Sequence, residues 1–312
     1  MKKIFIVLPA LLATLLLSAC QTKTYDIVVT LYPQYDMVRA IVGDQDLTYT
    51  MILPPGVEAH DFEPTSKQVI QINQAKLFIY TSIELETWAL DILDSDVIAV
   101  DLEALTEEIH DAAHPGETHD EDDHDHDHEH DVHYWVSVHT QVHMVEAVLQ
   151  SIIQIDPDNE AIYTANAEVL KNQLKAIHTA FLTIENPSSR PIYFIGHNVF
   201  SALNEEFDLN IISLTESFSP DADPTSAQIA QMIQAIRESG VNYVYYDPFE
   251  SMSVANTIKN DLKTAYNYDI VLMPLHSMHN VSKDQFKAKT TLIELWTENL
   301  NNIKLNYADG VL

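Results

Sequence analysis

Cysteine and basic residues are scarce in this chain. A single cysteine, Cys20, among 312 residues excludes a framework of intramolecular disulfide bonds. Sixteen lysines and arginines stand against 47 aspartates and glutamates, which gives a formal net charge of −31. Binding to nucleic acid and electrostatic docking on anionic lipid both require clustered cations, so the composition argues against both. An acidic chain suits a protein that handles cations, although solubility alone also explains an acidic surface.

The N-terminus has the features of an export signal. Two lysines precede the apolar run IFIVLPALLATLLL, which is too short for a membrane-spanning helix, and small residues follow it. The segment LSAC, residues 17–20, resembles the bacterial lipobox, in which the cysteine is lipidated and becomes the first mature residue. We therefore expect residues 1–19 to be a signal peptide and residues 20–24 a tether, with the lipid on Cys20 anchoring an extracytoplasmic protein to the bacterial cell membrane. An ordinary secretory signal with an incidental cysteine is the alternative.

Short apolar segments rich in β-branched and aromatic residues alternate with helix-like segments in two successive sets. This alternation predicts an α/β fold of two lobes, each with a mostly parallel four-stranded sheet flanked by helices. The helix-like segments include 84–94 in the first set and 282–305 in the second. The predicted strands are 25–32, 47–53, 76–82 and 96–102 in the N-terminal lobe, residues 25–157, and 191–196, 210–214, 241–247 and 269–275 in the C-terminal lobe, residues 187–312.

A periodic segment between the lobes predicts one long helix. From residue 158 to residue 185, apolar residues recur at intervals of three and four, which places them in one stripe. Asp158 can cap the start of this helix, and Pro187 prevents its continuation. We expect the connecting helix, residues 158–186, to join both lobes rigidly and to limit hinge closure. The predicted stripe consists of Ile162, Val169, Leu170, Leu174, Ile177, Phe181 and Ile184.

Residues 106–131 form a charged run with few apolar residues, which predicts a disordered loop. Histidines that alternate with carboxylates in such a loop bind divalent ions weakly, because each ion must first order the chain. We interpret them as an accessory tract that gathers or senses metal, with a solvating loop of no necessary role as the alternative. The sequence HDHEH at 126–130 matches a metallopeptidase signature, but it contains no apolar residue to fix the helix that this motif needs. The tract histidines are His114, His119, His124, His126, His128 and His130.

Four other histidines are candidate ligands of a folded site. His60 follows the second predicted strand, His197 follows the fifth, and His276 follows the last. His133 adjoins a tyrosine and a tryptophan that can anchor it in a core. In open α/β sheets, ligands bind beyond the carboxyl ends of the strands, so these positions place the four histidines in binding loops of two facing lobes.

The remaining histidines carry weaker signals. His139 and His143 have the i,i+4 spacing that lets two side chains chelate an ion from one face of a helix. The sequence offers no evident third donor, so we interpret both as surface or packing residues. His178 in the connecting helix is interpreted as solvent-facing, and His110 carries no separate signal.

The motifs resemble those of the cluster A-I (cluster 9) family, the solute-binding proteins of bacterial ABC importers for zinc or manganese. PPGVEAHDFEPTSKQ resembles the family's proline-glycine segment that leads to a His-Asp/Glu-Pro-Thr/Ser motif, and DVHYW resembles its Asp-Pro-His-Val-Trp motif. FIGHNVF is similar to a segment with histidine between two phenylalanines. DPDNEAIYTANAEVL resembles the start of the family's connecting helix, and VNYVYYDPFES a strand that ends in Glu-Pro-Gln-Phe-Ser. The order and spacing of the motifs hold over the whole mature chain.

The resemblance implies a metal ion held between the lobes by His60, His133, His197 and one C-terminal residue. Zn²⁺ favours four ligands and accepts imidazole readily, whereas Mn²⁺ prefers oxygen donors. Manganese members place a carboxylate where this chain has His197, so three histidines favour zinc. Family members usually have Glu or Asp where this chain has His276, so we expect His276 as the fourth ligand, with His279 or a water as alternatives. Because the carboxylate is missing, we expect either an acid in contact with the ligands or open access of solvent to the site.

The implied function is transport of Zn²⁺. The resemblance implies that the loaded protein docks on a membrane permease powered by an ATPase, and we expect it to act as a monomer. A zinc hydrolase is the rival class, but a metal with four protein ligands lacks the open position that activates water. The sequence is also compatible with a carrier of manganese or another divalent metal, and with a surface adhesin of the same fold.

Overall fold

The structure is a computed structural model that describes residues 23–94, 96–113, 132–217, 224–249 and 251–308. The predicted signal peptide, Cys20, the six tract histidines and the HDHEH motif lie outside these residues. Within the described ranges, no helix combines the length and the apolar character that crossing a membrane requires.

Four parallel strands form the sheet of the N-terminal lobe. They are β1 (Ile27–Val29), β2 (Tyr49–Met51), β3 (Leu77–Tyr80) and β4 (Ile98–Asp101), in the order β2-β1-β3-β4. The central strands β1 and β3 are entirely buried, as expected for the runs IVV and LFIY in a sheet covered by helices on both faces. The helices of this lobe are α1 (Tyr32–Val42), α2 (Ser66–Asn73), α3 (Leu102–Ala113) and α4 (Val138–Ile155).

The connecting helix, α5 (Glu160–Phe181), has 22 residues and therefore a length of about 33 Å. Two residues of the predicted stripe, Ile162 and Val169, are 43% and 60% exposed. Each lies one position before a buried residue, and one position turns the side chain by about 100° around a helix axis. The observed buried stripe is Tyr163, Ala167, Leu170, Leu174, Ile177 and Phe181.

The C-terminal lobe repeats the plan. Its strands are β5 (Ile192–Ile195), β6 (Ile211–Ser213), β7 (Tyr243–Tyr246) and β8 (Val271–Pro274), all parallel and in the order β6-β5-β7-β8. Its helices are α6 (Ser201–Phe207), α7 (Ser226–Ser239), α8 (Met252–Tyr266), α9 (Lys283–Ala288) and α10 (Leu292–Ala308). The predicted α/β fold with two four-stranded sheets is confirmed.

One hydrophobic core extends through both lobes. Residues of β1 and β3, the buried stripe of α5, residues of β5 and the inner face of α10 belong to the same cluster. Within this core, Phe181 of α5 stacks on Phe207 with ring centroids 4.7 Å apart and meets Trp296 of α10 edge to face at 6.0 Å. The two sheets are therefore fixed to one body of packed side chains.

Residues 106–113 differ from the sequence prediction, because they form the later part of α3 and not a disordered loop. Leu105 and Ile109 pack against the shared core, and Thr106 is buried with its hydroxyl donating to the Leu102 carbonyl at 2.5 Å. The narrow apolar stripe of Leu105 and Ile109 is sufficient to stabilise this part of α3, because α4 packs over it.

Two predicted helices also differ from the structure. Residues 84–94 contain a 3₁₀ turn at Leu90–Ile92 in place of a helix, and Trp88 in this segment donates its indole N–H to the Phe62 carbonyl at 3.0 Å. The segment 282–305 is divided between α9 and α10, because Lys289 has a left-handed φ of +60° and Glu294 caps a new helix start at the Thr291 N–H.

Replacing Leu174 with alanine should lower the free energy of unfolding by about 2–5 kcal/mol, because this fully buried side chain leaves a cavity in the shared core. Val169→Ala on the exposed face of the same helix is the matched control, and it should change stability by no more than about 0.5 kcal/mol. Urea denaturation of both variants measures the difference. Equal effects would mean that α5 is not packed as described.

Candidate metal centre

Three of the predicted histidines converge at one point between the lobes. The ligand nitrogens of His60, His133 and His197 all lie within 4.8 Å of one another. Their ring centroids are separated by 5.2–5.3 Å, and the Nε2 atoms of His60 and His133 are 3.1 Å apart. Nitrogens bound to one tetrahedral Zn²⁺ at 2.0–2.1 Å are about 3.3 Å apart, so this spacing suits a single ion.

Each of these histidines is positioned by a different part of the chain. His60 lies in the loop after β2, with only 9% of its side chain exposed. His133 directly precedes the 3₁₀ turn Tyr134–Val136 and is fully buried. His197 follows the end of β5 by two residues and is 3% exposed. Both lobes therefore contribute nitrogen donors, as expected for loops at the carboxyl ends of parallel strands.

Trp135 connects His133 to the opposite lobe. Its ring is 1% exposed and lies 5.3 Å from the ring of His133. Its indole N–H donates to the Ser277 carbonyl of the C-terminal lobe at 3.0 Å. The aromatic neighbour thus fixes His133 against the core, as the sequence predicted.

Glu58 is a carboxylate beside the cluster that the sequence analysis did not identify. Its Oε1 lies 2.6 Å from His60 Nδ1, and its Oε2 lies 3.5 Å from His279 Nε2. Burial would raise the pKa of the Glu58 carboxyl, but hydrogen bonds and charges from His279 and His60 hold it well below its usual range. An ionised carboxylate only accepts hydrogen bonds, so His60 donates from Nδ1 and directs the lone pair of Nε2 toward His133.

His276 lies apart from the three-histidine cluster. Its Nε2 is 3.4 Å from Glu298 Oε2, and its backbone N–H and carbonyl are both bound by the side-chain amide of Asn299, each at 2.8 Å. Both partners belong to α10, so the expected fourth ligand faces this helix and not the cluster.

His279, the alternative fourth ligand, lies beside His60. Its ring centroid is 6.3 Å from that of His60, and its side chain is fully buried. Its Nδ1 is hydrogen-bonded to the Ser277 hydroxyl, and its Nε2 faces Glu58. Its ring also meets Phe249 at 5.6 Å. His279 thus lies beside Glu58 and His60, although it too lies outside the group of three converging nitrogens.

The backbone of the loop 275–281 explains this difference between the two histidines. Met278 adopts a left-handed φ of +64°, which reverses the chain before His279. The buried carboxylate of Asp247 accepts the Ser277 N–H at 3.2 Å and holds the first half of the loop. The Asn280 amide donates to the carbonyls of Pro54 and Val57 at 2.9 and 2.8 Å. The loop is therefore bound to the loop that carries Glu58 and His60.

The other histidines that the structure describes lie outside this cluster. His178 has a side chain one third exposed, 3.5 Å from Glu206 Oε1, and packs against the ring of Phe207. His110, His139 and His143 come together in the N-terminal lobe. The sequence placed two of these three on one helical face and did not reveal the third.

Comparisons with known proteins agree with the resemblance in the sequence. The family model described as "Zinc-uptake complex component A periplasmic" (ZnuA) matches residues 27–305. The zinc-binding lipoprotein AdcA of Streptococcus pneumoniae serotype 4 is 28% identical over 97% of this chain, which spans 61% of the length of that relative. The high-affinity zinc uptake system protein ZnuA of Bacillus subtilis is 27% identical over 89% of this chain and 86% of its own.

Solved structures share the fold at low sequence identity. The Zn(II)-bound ZnuA-like domain of S. pneumoniae AdcA has a TM-score of 0.70 at 22% identity and covers 91% of this chain and 99% of that chain. The periplasmic zinc-binding protein TroA from Treponema pallidum has a TM-score of 0.73 at 17% identity and covers 91% of this chain and 99% of that chain. With the family model matching residues 27–305, this chain belongs to the periplasmic zinc-uptake component A family, whose members are transport proteins and not enzymes.

Proposed function

We propose that this protein captures Zn²⁺ between its two lobes with His60, His133 and His197 and delivers it to the permease of an ABC importer. The convergence of three nearly buried imidazoles, with their nitrogens within 4.8 Å of one another, carries the proposal. All three donors are nitrogens, which zinc accepts readily, whereas manganese favours oxygen donors. The three rings are already close together, so the ion orders few side chains when it binds.

His279 is the fourth donor in this proposal, and Glu58 is the acid that orients the histidines. Both His279 and His60 contact the carboxylate of Glu58. The His276 side chain would have to leave Glu298 to reach the cluster, while Asn299 holds the His276 backbone in place. One carboxylate between two imidazoles also supplies part of the negative charge that a site of neutral histidines lacks.

The partners in this proposal follow from the family and from the N-terminal segment. The family is described as a component of a zinc-uptake complex, which supports a membrane permease energised by an ATPase as the recipient. The AdcA relative is named a lipoprotein, which supports a lipid on Cys20 as the membrane tether. The protein acts as a monomer, and the histidine tract at 114–130 gathers zinc near the folded site.

Release of zinc takes place through movement of the loop 275–281. The shared core and the contacts of α5 hold the two sheets together, so opening a hinge between them would disrupt buried packing. Opening the loop 275–281 exposes only three side chains of this core, those of Leu275, Met278 and Val281, and breaks the hydrogen bonds that hold the loop, whereas separating the lobes exposes the core as a whole. A local opening therefore costs less free energy than separation of the lobes.

A zinc titration against a competing chelator tests the folded site. Residues 21–312 and a tract variant, in which the six tract histidines are replaced by asparagine, should both bind one equivalent of zinc tightly. His60→Ala should weaken that equivalent by more than about 100-fold, because loss of a ligand exceeds the 10–100-fold effect of losing a partner of a ligand. If tight binding disappears in the tract variant and is unchanged in His60→Ala, the folded site is excluded.

His279→Ala and His276→Ala distinguish the two candidates for the fourth donor. The first substitution should lower zinc affinity by about 10-fold or more, because it removes a donor and leaves Glu58 with a single imidazole. The second should leave the affinity unchanged, since His276 faces α10. Chelator competition gives both values, and circular dichroism verifies that both variants are folded. The reverse pattern would restore His276 as the fourth ligand.

Glu58→Gln tests the orienting acid. The amide keeps the size of the side chain but removes the charge that holds His60 and His279, so zinc affinity should fall by about 10–100-fold. The exposed Glu63 lies in the same loop, and Glu63→Gln is the matched control. An equal loss in both variants would indicate a general effect of negative charge and no specific role for Glu58.

A further inference from the structure

We propose that His110, His139 and His143 form a second zinc site in the N-terminal lobe, separate from the cluster between the lobes. Their ligand nitrogens all lie within 4.8 Å of one another. The Nε2 atoms of His139 and His143 are 3.3 Å apart, which is the separation of two nitrogens bound to one tetrahedral Zn²⁺ at about 2.0–2.1 Å.

Two helices build this arrangement. His139 and His143 stand one turn apart on α4, with ring centroids separated by 4.9 Å. Two histidines at i,i+4 on one helical face are a recurrent zinc-binding pair. His110 from the last turn of α3 contributes the third ring, 5.2 Å from His143 and 5.8 Å from His139. Because α3 packs along α4, the third donor is held by tertiary structure.

The start of α4 is fixed by contacts that do not involve the three rings. Ser137 caps the helix by accepting the Thr140 N–H at 3.0 Å. Glu206 of the C-terminal lobe accepts the backbone N–H groups of Val138 and His139 at 2.8 and 2.9 Å. The backbone that carries His139 is therefore preorganised, which lowers the entropic cost of binding an ion there.

The surroundings of the three histidines favour a cation. A cavity of 470 Å³ is lined by His110 and His143 together with the carboxylates of Glu103, Glu107 and Asp111. Burial, followed by the charges of Glu107 and other nearby carboxylates, raises the pKa of Glu103 to about 8, so Glu103 is largely neutral at pH 7 and a cation in the cavity would favour its ionised form. Asp111 Oδ1 lies 3.5 Å from His110 Nδ1, where a carboxylate can orient a metal-binding imidazole.

This second site differs in character from the site between the lobes. Three nitrogen donors leave one tetrahedral position open to water, and His139 is exposed. We therefore expect weaker binding and faster exchange of zinc. The site also adjoins both other groups of histidines: His110 shortly precedes the tract histidine His114 in the sequence, and Tyr134, which lines the cavity, directly follows His133.

Equilibrium dialysis with Zn²⁺ tests the second site in the tract variant of residues 21–312, where the tract histidines do not contribute. This chain should bind two equivalents, one tight and one weaker. Replacing both His139 and His143 with alanine should remove the weaker equivalent and keep the tight one. His178→Ala is the matched control, because its ring lies 6.4 Å from that of His139 but outside the three-histidine group, and it should keep both equivalents.

A second variant keeps the test decisive if the double substitution disturbs α4. His110→Ala lies on the other helix and should also remove the weaker equivalent. His60→Ala should do the opposite, removing the tight equivalent and keeping the weaker one, so failure of the site between the lobes and failure of this site give different results. The proposal is overturned if the tract variant binds a single equivalent, or if the weaker equivalent survives in His110→Ala.

Discussion

The packing of α5 against both lobes is the constraint on which the candidate metal centre depends. Leu174 and Phe181 of this helix lie in a core that also contains strands from each sheet and Trp296 of α10. The separation of the two sheets is thus set by close-packed side chains, which do not stretch or slide without large cost. Loops at the carboxyl ends of the strands can then bring three imidazoles within bonding distance of one ion without any rearrangement of the lobes.

Around the three histidines, charge and hydrogen bonding are arranged in a short chain of contacts. Glu58 accepts from His60 and faces His279, while Asp247 and Asn280 hold the loop on which His279 stands. The Glu58 carboxylate stays outside the group of three nitrogens and acts on His60 through the proton on Nδ1. In the proposed zinc site, the donors are therefore all nitrogens, which favours zinc, and the negative charge of Glu58 still lies close to the ion.

The strands were predictable from the sequence because buried parallel strands are apolar runs. The positions of His60 and His197 follow from the carboxyl ends of those strands, which face one crevice, whereas His133 was predicted from its aromatic neighbours and from the family resemblance. The orientation of His279 was not predictable, since it follows from the left-handed backbone at Met278. The helix over 106–113 was missed because Leu105 and Ile109 suffice only when α4 covers them. The proximity of His110 to His143 likewise arises from packing between α3 and α4, and the spacing of residues in the sequence does not indicate it.

The left-handed backbone at Met278 affects how readily the loop 275–281 opens. A non-glycine residue in this region stores on the order of 1–3 kcal/mol, and the strain persists only while the surrounding contacts hold it. Each 1.4 kcal/mol is about a tenfold change in an equilibrium constant, so the stored strain raises the share of open loop many-fold over that of a relaxed loop. In the proposed release of zinc through the loop 275–281, the residence time of the ion therefore depends on this one strained turn.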